Sequence, residues 1–117
     1  KYIVSAFVCF PQLVEEYEER LLDFSVKDEG LRRVYETILD RKKNPKEGSY
    51  TNYLFEKGLD KILKKVGEEA TEIVIAAKNS EPEEIKYEIC DFLYHVMVLM
   101  VEKGVTWEEI MAELANR

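Results

Sequence analysis

Apolar residues recur every three to four positions through most of this chain, the period of a helix packed along one side. Leu31, Val34, Tyr35, Ile38 and Leu39 form one such stripe. Leu59, Ile62, Leu63, Val66, Ala70, Ile73 and Ala77 form a longer one, and Ile85, Ile89, Phe92, Val96 and Leu99 a third. Punctuation between the stripes predicts the boundaries. Pro11 suits the first turn of a helix through Leu13, Val14, Tyr17, Leu21 and Leu22, with Ser25–Gly30 as the connection to the next. Lys42–Ser49, containing Asn44-Pro45 and Gly48, reads as a loop. A long helix then starts near Thr51 or Asn52 and runs to about Lys78, with Gly58 as a break. Ser80 with Glu83 has the spacing of a capping box for a second long helix, Glu81 to about Lys103, which Gly104 ends. Thr106 with Glu109 repeats that spacing before a short last helix through Ala112 and Leu114. Tyr2–Phe10 is apolar and fits either a strand or a helical or irregular arm. The expected fold is all-α, an antiparallel bundle of four to five helices.

Five acids interrupt this pattern at paired helical spacings. GEEATE supplies Glu68, Glu69 and Glu72, and YEICDF supplies Glu88 and Asp91, with residues 73–87 between the two sets. That separation suits two helices folded back on one another with the acids facing. At about 100° per residue, Glu69, Glu72 and Glu68 span an arc of roughly 100° at the margin of the apolar stripe, Glu69 nearest to it. Glu88, Asp91 and His95 fall within roughly 60° of each other beside the third stripe. Any single helical Glu is usually a solvated side chain. Five clustered like charges repel, however, unless a cation or protonation neutralises them. Hard oxygen ligands of this kind suit Mg²⁺ or Mn²⁺, and Mg²⁺ shares its coordination between carboxylates and substrate phosphates. Glu69, Glu72, Glu88 and Asp91 are the expected metal ligands. Glu68, Glu69 and Glu72 are the expected catalytic acids.

Other residues near the acids have a functional and a plain reading. Lys61 and Lys65 project within about 40° of each other, on the face of Glu68 and Glu72. They suit phosphate binding, or ordinary pairing with neighbouring acids. Ser49, Tyr50 and Thr51 offer hydroxyls where a loop enters a helix, for an anion or for capping. His95, one turn after Asp91, suits a residue orienting that carboxylate, or one packed in the core. Gly67 costs a helix about 1 kcal/mol relative to Ala, which calls for close approach by a neighbouring helix or a substrate.

Composition narrows the function further. A chain of 117 residues with 46% hydrophobic residues suits one small domain. The net charge of −7 disfavours sequence-independent nucleic-acid binding. Cys9 and Cys90 have no metal-ligand spacing and read as free thiols of a reducing compartment. No apolar run reaches the roughly 18 residues of a membrane span, and Tyr2–Phe10 lacks the pattern of a secretory signal. A cytoplasmic protein with no membrane partner is expected. From Phe92 to Val101 apolar side chains point in nearly every direction, which a second subunit would cover.

The run GSYTNYLFEKGLDKILKKVGEEATEIVIAAKN, with EEIKYEICDFLYHVMVLMVEKGVTWEEIMAELANR after it, resembles the phosphoribosyl-ATP pyrophosphatases of histidine biosynthesis, relatives of the MazG-type nucleotide pyrophosphatases. The resemblance covers residues 31–117. It implies an all-α domain there and leaves residues 1–30 as an N-terminal extension of unassigned role. Glu-Glu-x-x-Glu followed by Glu-x-x-Asp marks the wider superfamily, and GSYT, GLDKILKKVGEE and DFLYH mark this branch. It further implies a MazG-like dimeric architecture, a homodimer or higher homo-oligomer with the site near the subunit interface. Lys78 and Asn79 of the AAKN segment are implied to lie near the nucleotide, and Ser49, Tyr50 and Thr51 match the family's SYT stretch. The implied activity is Mg²⁺-dependent hydrolysis of phosphoribosyl-ATP to phosphoribosyl-AMP and pyrophosphate. A housekeeping pyrophosphatase for deoxynucleoside or non-standard triphosphates, and a non-enzymatic helical dimer, are the alternatives. A di-iron bundle would need Glu-x-x-His pairs, and the single His follows Phe92 at that spacing.

Overall fold

Gly58 divides the long amphipathic segment in two. Its φ of +96° lies where glycine is at ease and other residues are strained. Its N–H still donates to the Leu54 carbonyl at 3.0 Å, and its carbonyl accepts from the Ile62 N–H at 3.2 Å, so two helices meet with hydrogen bonding carried across the joint. The computed structural model describes residues 24–79 and 81–117. These residues form α1 (Phe24–Lys43), α2 (Tyr50–Lys57), α3 (Leu59–Ala77), α4 (Pro82–Lys103) and α5 (Trp107–Ala115), and contain no strand. The expectations for Tyr2–Phe10 and for the helix after Pro11 lie outside them.

Helix ends follow local chemistry with two exceptions. At the end of α4, Gly104 adopts a left-handed φ of +78°. The Val105 N–H then reaches the Met100 carbonyl at 2.9 Å and the Gly104 N–H reaches that of Val101 at 3.3 Å, the paired bonds of a glycine stop. Thr106 and Glu109 exchange both bonds of the expected capping box, at 3.1 and 2.8 Å. The first exception is Ser25–Gly30, expected as a connection but part of α1, where Gly30 is buried. Tertiary burial there outweighs the roughly 1 kcal/mol that glycine costs a helix. The second is α4, whose cap is Glu81, while Ser80, the expected cap, lies outside the described residues. Pro82 takes the first helical position and holds the residue before it extended, so Glu81 becomes the cap.

The core joins all five helices: Tyr35 and Ile38 of α1, Leu54 of α2, Ile62 of α3, Met97, Val98, Met100 and Val101 of α4, and Trp107 of α5. The principal helix pair is α3 against α4, with α1 also packed on α4. Buried Asn52 fastens the loop between α1 and α2. It donates to the Arg41 carbonyl at 2.7 Å and accepts from the Lys46 N–H at 2.6 Å. Within the apolar run Phe92–Val101, Met97, Val98, Met100 and Val101 are buried by the chain itself, while Phe92, Leu93, Val96 and Leu99 are half-buried. Cys90, expected as a free thiol, is disulfide-bonded, because sequence spacing says nothing of which sulfurs meet in space. Cys9 lies outside the described residues. Among the described residues no helix is long and apolar enough to cross a membrane.

Candidate active site

The hairpin of α3 and α4 brings the two acid sets together. Glu88 and Asp91, three residues apart, share a face of α4, and Glu69 reaches them from α3. One carboxylate oxygen from each of the three lies within 4.8 Å of the others. Glu69 is only 5% exposed, as its place beside the apolar stripe required. Its Oε1 and the Oε1 of Glu88 are buried without any hydrogen-bond partner.

Buried carboxylates that face one another resist ionisation. Burial pushes Glu69 above the usual range, helped by the charges of Glu72 and Asp91 and opposed by His95 and Lys65. Glu88 is pushed up to about 7, first by burial, then by the hydrogen bond its protonated form donates to Glu72, and then by the charges of Glu72, Asp91 and Glu69. Glu72 is itself exposed and is not one of the three converging acids. A donor set of three carboxylates, with two buried oxygens lacking any proton donor, fits a divalent cation of the hard, oxygen-seeking class.

Among the described residues, Lys65 brings a cation to the acids. Its Nζ lies 3.3 Å from Glu68 and 3.4 Å from Glu69. Burial lowers the Lys65 pKa, but Glu68, Tyr50 and Glu69 outweigh it and hold the ammonium charged. Glu68 also approaches Lys64 at 4.0 Å. Lys61 turns elsewhere, its Nζ 5.7 Å from the centre of the Tyr53 ring. Lys78 and Asn79 follow the end of α3, roughly 10 Å along the axis beyond Glu72. Asn79 donates to Glu84 at 2.9 Å, closing the turn into α4.

The Ser49–Thr51 hydroxyls are engaged within the protein. Ser49 caps α2, accepting from the Asn52 N–H at 3.3 Å, and the buried Thr51 bonds the Tyr94 hydroxyl. The Tyr50 hydroxyl lies 3.0 Å from His95 Nε2, and His95 Nδ1 lies 2.8 Å from the Asp91 backbone carbonyl. A carbonyl only accepts, so Nδ1 carries the proton and, in the neutral ring, the Tyr50 O–H donates to Nε2. His95, 5% exposed, therefore grips the Asp91 turn through its backbone and not through the carboxylate. Burial raises the Tyr50 pKa, while Lys65 opposes. Gly67 has open space where a Cβ would stand, so no neighbouring helix presses on it. Sequence reasoning passed over Tyr53 and Tyr94; the spacing of Tyr50 and Tyr53, one turn apart beside the acid-bearing helix, was the available signal.

Residues 31–117 match the model of the phosphoribosyl-ATP pyrophosphohydrolase family. The chain is 58% identical over 89 residues to a phosphoribosyl-ATP pyrophosphatase of Limosilactobacillus fermentum, covering 76% of this chain and 84% of that protein. It is 63% identical over 87 residues to the pyrophosphatase of the same name from Streptococcus thermophilus, covering 74% and 84%. It is also 64% identical over 89 residues to a histidine biosynthesis bifunctional protein of Caldanaerobacter subterraneus subsp. tengcongensis, covering 76% of this chain but only 43% of that longer protein.

Proposed function

This chain belongs to the phosphoribosyl-ATP pyrophosphohydrolase family, and from that premise we propose that it hydrolyses phosphoribosyl-ATP to phosphoribosyl-AMP and pyrophosphate in histidine biosynthesis. The observation that carries the reading is the convergence of Glu69, Glu88 and Asp91 with two buried, unpartnered carboxylate oxygens. A water oxygen bonds to the α-phosphorus, the anhydride bond to the β-phosphate breaks, and pyrophosphate leaves with the electron pair. Mg²⁺, with Mn²⁺ as a substitute, held by Glu69, Glu88 and Asp91 with Glu72 as a further ligand, would neutralise charge on the departing group.

The chain's own residues supply the remaining tasks. Glu68, beside the trio but outside it, orients the water and takes its proton, while Lys65 holds Glu68 in place. Lys65, 3.4 Å from Glu69, would also offer its ammonium to a substrate phosphate, with Lys61 one turn behind it. Ser49 and Thr51 act indirectly, by fixing the start of α2. Residues 31–117 are the proposed catalytic domain, although α1 begins at Phe24 and runs across that boundary.

A homodimer is part of the same proposal. Val74 and Ile75 of α3 and Tyr87 of α4 are each more than half exposed, and they offer an apolar surface for a second copy. Lys78 and Asn79 would reach a nucleotide only across such a contact. The cytoplasm is the proposed location.

The test is pyrophosphate release from phosphoribosyl-ATP, ATP, dCTP and dUTP, each with and without Mg²⁺. Release from phosphoribosyl-ATP alone, dependent on the metal, is expected. Faster release from dCTP or dUTP would instead favour a housekeeping triphosphate pyrophosphatase.

A further inference from the structure

Tyr50 and Tyr53, one turn apart at the start of α2, form a small aromatic surface that the chemistry above leaves unused. Their ring centres lie 6.0 Å apart with planes 25° from parallel. Both are exposed, at 46% and 39%. Large exposed aromatics normally move freely, but these are held. Tyr50 is fixed through its hydroxyl to His95 and lies 6.3 Å from the nearly parallel ring of Tyr94, itself bonded to Thr51. A surface already ordered loses little entropy when a flat ligand stacks on it.

Two further observations say what kind of ligand. The ammonium groups of Lys57 and Lys61 both stand 5.7 Å from the centre of the Tyr53 ring, so this face already attracts cations. Charges of both signs lie alongside, with Lys65 first and then Glu69 and Glu68 close enough to Tyr50 to act on it. A neutral purine gains only stacking from such a surface. An adenine alkylated at N1 loses the acceptor on its Watson–Crick edge and carries a positive charge near neutral pH. Edge hydrogen bonding is then a poor means of reading it, and an electron-rich aromatic face is a good one.

We propose that the Tyr50–Tyr53 surface receives the purine base of the substrate face-on and favours an N1-alkylated, cationic base over unmodified adenine. The proposal rests on the phosphoribosyl-ATP reading and deepens it, because N1 is where that substrate differs from ATP. Arrival of the base displaces Lys61 from the Tyr53 face and frees its ammonium for the phosphates.

The test compares 1-methyladenosine 5′-monophosphate with AMP, neither of which has an anhydride to cleave, by calorimetry on the full chain with Mg²⁺. The wild type should bind the methylated nucleotide about tenfold more tightly, within the range of a partly desolvated cation–π contact. Tyr53→Phe should keep that preference and Tyr53→Leu should erase it. No preference in the wild type, no binding of either nucleotide at millimolar concentration, or a preference that survives both Tyr53→Leu and Tyr50→Leu would overturn the proposal. Pyrophosphate release from phosphoribosyl-ATP by the same preparation reports separately on the activity. Release without base preference sinks only this inference, whereas absence of release sinks the function beneath it.

Discussion

The two halves of α4 are built on opposite terms. Toward its C-terminal end, Met97, Val98, Met100 and Val101 are buried against apolar partners from every other helix. Toward its start, Glu88 and Asp91 face Glu69, with two oxygens buried and unpartnered. Burial stabilises in the first half and opposes folding in the second, where each carboxylate loses water and gains a like-charged neighbour. One helix thus anchors the fold with one half and carries the converging acids with the other. The acids are therefore kept for what they bind, since as structure they are a cost.

Mutations should break that contrast cleanly. Glu69→Gln or Asp91→Asn should lower kcat by roughly a thousandfold, as loss of a principal charge-stabilising group does. Melting temperature without metal should hold or rise, because a repelling charge has gone. Near-normal turnover at limiting Mg²⁺ in both variants would remove these acids from the site. In the apolar half the columns exchange. Ile62→Ala leaves a void in a fully buried position and should cost about 2–5 kcal/mol in urea unfolding, with kcat of the folded fraction little changed. Met97→Glu should unfold the chain and not merely dissociate it, since that side chain lies in its own core.

The pH dependence sharpens the comparison. The Glu88 carboxyl titrates at about 7 in the folded chain against 4.5 as its ordinary value, so between those values the folded state holds the extra proton. Stability that is present below pH 4.5 should therefore decline as pH rises toward 7 in metal-free protein, and Mg²⁺ should abolish the decline. Urea midpoints at closely spaced pH values would show it, and a flat metal-free profile would refute it. The smallest effect is expected at Gly67, where a Cβ meets open space. Gly67→Ala should stabilise by about 1 kcal/mol, and an accompanying loss of activity would reveal a substrate that packs on that glycine.

Local chemistry made much of this legible in advance. Gly58, Gly104 and the Thr106–Glu109 box act within a turn of themselves, and the acid spacings fix a helix face wherever the helix lies. Glu69 could be singled out because its angle to the apolar stripe decides its burial. What depends on distant partners was not legible. Ser25–Gly30 reads as a turn until the burial of Gly30 is known, and Pro82 places the cap at Glu81. The bond between Tyr50 and His95 joins residues 45 positions apart, and nothing in either neighbourhood announces it. A helix that is apolar all round, as α4 is from Phe92 to Val101, does not say which chain will cover Met97 and Val98. Cys90 escaped for the same reason.

The most direct test of the central claim, that Glu69, Glu88 and Asp91 form a divalent cation site, is the melting temperature of wild type and Glu88→Gln over a range of Mg²⁺ and Mn²⁺ concentrations at pH 7.5. Binding to the folded state alone should raise the wild-type midpoint with the logarithm of metal concentration, and Glu88→Gln should start higher and move far less. A wild-type midpoint that ignores both metals, or a variant that follows the wild type in parallel, would contradict the account.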